Sequence, residues 1–275
     1  MGEALLVRRG GGGVKVTVDG EKISKDLNFT SFVGSVKMKN LSLNLDDSYP
    51  SGVAMSDGIH LIYYGTHLLI NGNNYTELLN CPVKPRYGTA TTKLNDALYY
   101  TYAGDNYTIY KFSDGTWTLL DTPPCFLCAF DKNYVYGSDG SALYRYDGNA
   151  FTQIKTGLDY GSNLTLCDDG TFYYQSDGDN NTWLMKMNLK DLVEKSVLSL
   201  RTSNTDFHFT AVGNDLYRYG NSKLVNNVFV STEYISISDT SAKKNTCIIV
   251  QDGEMHGFKN SYEHWILNAK LYKEV

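Results

Sequence analysis

Seven times along the chain an apolar run enters a short turn rich in Asp, Gly and Asn, and an aromatic strand follows. The copies read VKVTVDGEK at Val14, VAMSDGIHLIYY at Val53, ATTKLNDALYY at Ala90 and LCAFDKNYVYG at Leu127. They continue as LTLCDDGTFYY at Leu164, FTAVGNDLYRYG at Phe209 and CIIVQDGEMHGF at Cys247. The second turn residue of each copy is Gly20, Gly58, Asp96, Lys132, Gly170, Asp215 or Gly253, so successive intervals are 38, 38, 36, 38, 45 and 38 residues. A fixed period of this length is the mark of a repeat architecture, and it constrains the fold more than any single motif. The long interval contains NLKDLVEKSVLSL (Asn188 to Leu200), which reads as a lengthened hairpin.

Each copy divides into four short strands. In the copy at Ala90 these are TATTKL, ALYYTYAG, YTIYKF and TWTLL, separated by polar turns. Alternation with period two and Asp-Gly or Asn-Gly turns specify antiparallel hairpins. An aromatic residue followed by Thr recurs just after the last turn, as Tyr75-Thr76, Trp117-Thr118 and Phe151-Thr152. All five prolines (Pro50, Pro82, Pro85, Pro123, Pro124) fall between one copy and the next. Proline cannot donate to an interior ladder and collects at connections. The 22 tyrosines and 25 glycines fit the same picture, aromatic strands joined by permissive turns.

A four-stranded sheet of this size cannot bury both faces alone. Radial stacking against copies of itself covers them, which predicts an all-β fold, a β-propeller of four-stranded blades. Seven blades are preferred, with residues 14–52 as a divergent first repeat. Six blades plus an N-terminal segment is the alternative, because NFTSFVGSVKMKNLSLNL (Asn28 to Leu45) matches the other copies poorly. The division expected is a flexible arm over 1–13 and a single propeller domain over 14–275. Ring closure predicts that HWILNAKLYKEV (His264 to Val275) pairs near the N-terminal strands.

Two resemblances add to this reading. YKFSDGTWTLLDTPP (Tyr110 to Pro124) resembles the second half of a kelch repeat: strand, turn, Trp-containing strand, proline exit. The double glycine that marks kelch repeats is absent from every copy, so Val53 to Val275 is kelch-like. That resemblance implies a propeller. EALLVRRGGGG (Glu3 to Gly13) resembles the start of tail-associated proteins from phages and prophages of gut Firmicutes. It implies a virion-associated adhesin or accessory protein, held to a virion or tail protein through the N-terminal arm.

Several functions are disfavoured by the residues themselves. A net charge of −5 opposes a nucleic-acid partner, which needs a basic face. No apolar run is long enough for a membrane span. MGEALLVRRGGGG has its arginines after a short apolar run, the wrong order for a signal peptide, so cytoplasmic synthesis without export is expected. The five cysteines show no disulfide-like spacing and read as free core thiols. Cys125 and Cys128 have CxxC spacing but lack a second ligand pair for zinc. In the calcium-like run Asp177 to Asn181, Thr182 stands where the turn glycine belongs and Asn188 where the closing Glu belongs. No metal or other cofactor is expected. His60, His67, His208, His256 and His264 are scattered and read as surface or inter-blade residues. SDGDNNTW (Ser176 to Trp183) has the length of a sialidase-type Asp box, but Asn180 replaces its glycine and its aspartate is missing. No Gly-x-Ser-x-Gly elbow or phosphate-binding loop occurs.

The turns after the aromatic strand are the most polar: GDNY (Gly104 to Tyr107), GSDGS (Gly137 to Ser141) and SDGDNNTW. In a ring of blades they lie side by side on one rim. Asp105, Asn106, Tyr107, Asp139, Asp177, Asp179 and Trp183 are therefore the candidate ligand-binding residues, combining stacking surfaces with hydrogen-bonding groups. The expected function is a non-enzymatic binding or structural module recognising a glycan or protein on a bacterial cell surface. The alternative is a carbohydrate-active enzyme using the central pocket, which would need clustered carboxylates there.

Overall fold

In the computed structural model the N-terminal strands are β1 (Leu5–Leu6), β2 (Val14–Val18), β3 (Glu21–Leu27), β4 (Phe32–Val33) and β5 (Lys37–Asn40). The structure describes these strands and residues 50–268, apart from 72–73, 85–88, 104–106, 159–160, 179–180, 201–208, 219–221, 232–245, 252–253 and 260–262.

From Ser51 onward the chain is laid down as antiparallel sheets. Blade I is β6 (Ser51–Met55), β7 (Gly58–Tyr63), β8 (Thr66–Asn71) and β9 (Asn74–Glu77). Blade II is β10 (Thr89–Leu94), β11 (Ala97–Ala103), β12 (Tyr107–Ser113) and β13 (Thr116–Leu119). Blade III is β14 (Phe126–Phe130), β15 (Val135–Ser138), β16 (Ala142–Tyr146) and β17 (Phe151–Thr156). Blade IV is β18 (Gly161–Leu166), β19 (Thr171–Gly178), β20 (Asn181–Asn188) and β21 (Lys195–Ser199). Blade V is β22 (Phe209–Val212), β23 (Asp215–Arg218), β24 (Ser222–Val225) and β25 (Val228–Ser231).

A further sheet is composite. β26 (Thr246–Gln251), β27 (Glu254–Lys259) and β28 (Glu263–Asn268) come from the C-terminal region, and β5 supplies the fourth strand. Its register pairs Glu263 with Asn40 and Ile266 with Lys37. The expected pairing of the His264 segment with N-terminal strands is thus observed. Among the described residues there are five contiguous four-stranded blades and this composite one. The hairpin at Val14 forms a separate two-stranded sheet, β2 with β3, as do β1 and β4. For these residues the arrangement is the alternative weighed from the sequence, with the N-terminal segment closing the ring.

The first strands make the hub. β6, β10, β14, β18, β22 and β26 pack in succession, and β26 packs back on β6. Burial rises from the hub to the second strand and falls to the rim. Every residue of β7 is buried, whereas every residue of β9 is exposed. The core is accordingly not one mass but a series of wedges between neighbouring sheets. Leu98, Tyr100 and Phe112 of blade II meet Val53 and Ile62 of blade I. Phe172 and Tyr174 of blade IV meet Tyr136 and Leu143 of blade III. Ile249 and Phe258 meet Ile59 and Leu61, sealing the ring.

The repeat is also visible in the outer hairpins. Ile70 faces Tyr75, Phe112 faces Trp117, Tyr146 faces Phe151 and Leu224 faces Phe229 in the same register. The aromatic–Thr pairs recognised in the sequence therefore hold one structural position. Two-residue turns set this register. In Asp114-Gly115 and Asn226-Asn227 both central residues have positive φ, the turn whose twist matches that of the flanking strands; Tyr64-Gly65, between β7 and β8, has the same form.

Candidate functional site

Antiparallel alternation sends the turns between second and third strands, together with the blade-to-blade connections, to one rim, here called the upper rim. The turns between first and second strands, and between third and fourth, lie on the lower rim. The strand ends on either side of the polar tips of blades II, III and IV share the upper rim, and these blades are consecutive in the ring.

Two of the predicted residues are in direct contact. The Tyr107 hydroxyl, at the start of β12, donates to the Asp139 carbonyl at 3.2 Å and ties the tip of blade II to that of blade III. Trp183, the third residue of β20, lies toward the same rim, paired with Ser176, and remains 38% exposed. Asp177 lies on β19 opposite Thr182. Asp105, Asn106 and Asp179 lie outside the described residues.

Asp139 serves its own hairpin. Its Oδ1 accepts the Ser141 N–H (2.8 Å), the Ser141 hydroxyl (2.9 Å) and the Ala142 N–H (2.7 Å). Its Oδ2 accepts the Tyr144 hydroxyl at 3.0 Å. Burial works to raise this carboxyl's pKa, and the four donors outweigh it, holding it below the ordinary value. The side chain's acceptor capacity is thus spent locally, and what Asp139 brings to the rim is a fixed backbone.

Blade III uses the same device at every turn. Eight residues earlier in the sequence, Asp131 accepts the N–H groups of Asn133 (2.7 Å) and Tyr134 (2.9 Å) and the Tyr136 hydroxyl (2.7 Å). Eight residues later, Asp147 accepts the N–H groups of Asn149 and Ala150, both at 2.8 Å. Aspartate bonding to backbone two and three residues on is the Asx turn. The tyrosine five residues on, as in Asp131–Tyr136 and Asp139–Tyr144, clamps the carboxylate's other oxygen. Much of the Asp and Tyr content in this blade is therefore scaffold.

The hub is nearly uncharged. None of β6, β10, β14, β18, β22 or β26 carries Asp or Glu, and Lys93 is their single charged residue. Lys93 Nζ donates to the Ala54 carbonyl of blade I and lies 5.5 Å from the centroid of the Phe130 ring. Desolvation lowers its pKa.

The cysteines resolve as packing. Cys81, Cys125, Cys128, Cys167 and Cys247 are free thiols. Burial pushes Cys128, Cys167 and Cys247 up to about 12, so they stay protonated. Among the described residues no group of His, Cys, Asp and Glu is arranged to hold a metal ion. The histidines contain a surprise. His60 and His67, expected as scattered surface or inter-blade residues, are both buried and hydrogen-bonded to one another, Nδ1 to Nε2, at 2.9 Å. The register Ile62–His67 places them on one face of blade I. A two-residue Tyr64-Gly65 turn dictates that register, so the hairpin rule applied to Tyr63-Tyr64-Gly65-Thr66 would have revealed the pair.

No family profile matches the chain, and no curated protein sequence matches it. Solved structures do share its architecture. YjhT superposes with a TM-score of 0.57 at 9% identity, over 80% of this chain and 93% of its own. The Aleuria aurantia lectin in complex with α-methyl-L-fucoside superposes with a TM-score of 0.50 at 12% identity, over 78% and 88%. A chain of the nidogen/laminin complex gives 0.51 at 12% identity, over 77% and 85%. These likenesses establish the class, a β-propeller, and nothing finer. No helix among the described residues is long and apolar enough to cross a membrane.

Proposed function

We propose that this propeller is a binding module that recognises a glycan or a protein through the upper rim of blades II to IV. The observation that carries this reading is the contrast between hub and rim. The hub strands bear no carboxylate, and a glycoside hydrolase of the common kind needs two. The rim combines an exposed indole at Trp183 with a tip fixed by the Tyr107–Asp139 contact, and the sequence next to these residues supplies Asp105, Asn106, Asp177 and Asp179. An indole offers a stacking face, and short polar side chains supply the directional bonds that orient a sugar or a peptide. Two superposable propellers are compatible with such a role, a lectin seen with a fucoside and a partner in a nidogen/laminin complex.

The resemblance of EALLVRRGGGG to phage tail-associated proteins supports a finer version. In it the N-terminal arm attaches the propeller to a virion or tail protein, and the rim engages a bacterial envelope. The kelch-like pattern of Tyr110 to Pro124 supports an interaction module in the same sense.

The test is a glycan array together with pull-down from bacterial envelope fractions, using the wild type, Trp183→Ala and Tyr107→Ala. Retention by the wild type and at least tenfold weaker retention by Trp183→Ala are expected. Binding unchanged in both variants would remove the rim from the proposal. Turnover of a bound glycan would replace the binding reading by the enzymatic one. Removal of residues 1–13 is expected to abolish association with virions while leaving glycan binding intact.

A further inference from the structure

A polar chain crosses the wedge between blades I and II. It starts at Asp57 on the lower rim, whose side chain is 56% exposed. Asp57 Oδ1 lies 3.0 Å from His60 Nε2, and His60 Nδ1 lies 2.9 Å from His67 Nε2. His60 and His67 are 3% and 0% exposed. His67 is enclosed by blade II, with the Phe112 ring at 4.6 Å edge-on and the Trp117 ring at 5.3 Å.

Hydrogen-bond logic assigns the protons. A carboxylate only accepts, so in the neutral pair His60 carries its proton on Nε2 and offers a lone pair at Nδ1. His67 must then donate from Nε2, which leaves its Nδ1 as a bare lone pair. That buried nitrogen has no hydrogen-bond partner. The group beside it is the Leu79 carbonyl, which can only accept and already receives the Trp117 indole N–H at 2.8 Å. One further proton at His67 Nδ1 would break no hydrogen bond of the chain, since that nitrogen makes none. It would also place a cation in a wedge walled by aromatic rings.

We propose that the Asp57–His60–His67 chain is a proton-sensitive latch on the seam between blades I and II, closed while His67 is neutral and loosened when it takes up a proton. The latch also reaches the upper rim. His67 N–H donates to Asn80 Oδ1 at 3.2 Å, the Leu78 N–H donates to the His67 carbonyl at 2.8 Å, and the Cys81 N–H donates to the Gly65 carbonyl at 2.8 Å. The connection that carries Leu78 to Cys81 onto the upper rim is therefore pinned to the same strand as His67.

The electrostatic surroundings agree. Burial, then the neighbouring His60, push the His67 pKa from 6.5 down to about 4, against the opposing pull of the Leu79 carbonyl and Asp57. On blade I the other facing groups are Asp57 and His60, with Glu77 one step removed through Asn80. From the connection, the Cys81 thiol is pushed up to about 11 by burial and stays neutral. From blade II the ionisable members of the cluster are Tyr100 and Tyr110, both raised by burial, while Phe112 and Trp117 carry no charge.

The test compares urea unfolding of the full chain at pH 7 and pH 5 for wild type and His67→Gln, whose amide can still donate to His60. Linkage from the two pKa values gives a wild-type unfolding constant that rises on the order of 20-fold more than the variant's over this interval. A purely structural role would destabilise the variant equally at both pH values. In parallel, imidazole ¹⁵N spectra of the wild type should keep a lone-pair Nδ1 and a protonated Nε2 at His67 from pH 7 to below pH 5. An identical pH response in His67→Gln, or a His67 that titrates near 6.5, would overturn the latch.

Discussion

The seams on either side of the blade II–blade III region are built at the same place in the repeat, yet from different material. Between blades III and IV, Leu143, Leu164, Phe172 and Met187 interlock with Tyr136 and Tyr174, and Tyr136 meets Phe172 edge-on at 5.1 Å. The polar atoms of that cluster are tyrosine hydroxyls and the Cys128 thiol. Between blades I and II two imidazoles stand among Ile62, Leu98, Phe112 and Trp117. Propeller geometry asks only that each wedge be filled. An apolar wedge holds equally at any pH at which the chain folds, whereas this wedge holds only while His67 stays neutral.

This difference can be broken first at its strong side. Phe172 is fully buried, so Phe172→Ala should cost about 3–5 kcal/mol through lost burial and a residual cavity. Chemical denaturation at pH 7 and pH 5 should give the same loss. A loss that depends on pH would mean the apolar seam is not independent of ionisation. The acid response of the other seam is somewhat smaller. The folded-state pKa of His67, about 4, lies below its unfolded value of 6.5. Its contribution is therefore complete above about 6.5 and is lost as pH falls toward about 4, with a ceiling of roughly 3 kcal/mol. A stability profile flat from pH 7 to 4.5 would contradict it.

The two seams were unequally legible in the sequence. Period, strand count and closure followed from turn residues and prolines, because turn chemistry is local and is written where it acts. The Phe172 wedge followed too, since any aromatic strand in a stacked repeat must bury itself. The histidine pair did not follow, although its spacing was on the page. A list of scattered histidines hides what hairpin register reveals, that residues seven apart across a two-residue turn share one face. Asp139 shows a second kind of information that the turn sequence carries. An Asp in a polar tip looks like a ligand group, but its neighbours Ser141 and Tyr144 already consume it. The Asp–Tyr spacing of five, present at Asp131 and again at Asp139, was the readable sign.

That bracket gives a smaller effect in a different pH window. Asp139→Ala removes an acceptor serving four donors near the surface, and a loss of about 1–2 kcal/mol is expected. Its carboxyl titrates below the ordinary 3.8, so its contribution is present above that value and disappears only on acidification beneath it. The wild-type acid profile should thus show two separate steps, the upper lost in His67→Gln and the lower reduced in Asp139→Ala. A single merged step in both variants would mean that the seam and the hairpin tip open together.

The smallest effect on stability is expected where the effect on recognition is largest. Trp183 is 38% exposed at the beginning of β20, beside Thr182, whose carbonyl accepts the Leu200 N–H at 2.7 Å. The strand is therefore anchored through its backbone, and truncating the indole removes little buried area. Trp183→Ala should change the unfolding free energy by less than about 0.5 kcal/mol, the range of ordinary surface substitutions. Retention on envelope fractions should nevertheless fall at least tenfold, because an exposed indole fixed on a strand contributes stacking area at small entropic cost. Phe172→Ala supplies the control from the opposite side. It should weaken the fold severely, yet below its unfolding transition it should leave retention near the wild-type level. If Trp183→Ala proves as destabilising as a core truncation, the indole belongs to the wedge between blades, and the rim loses its stacking surface.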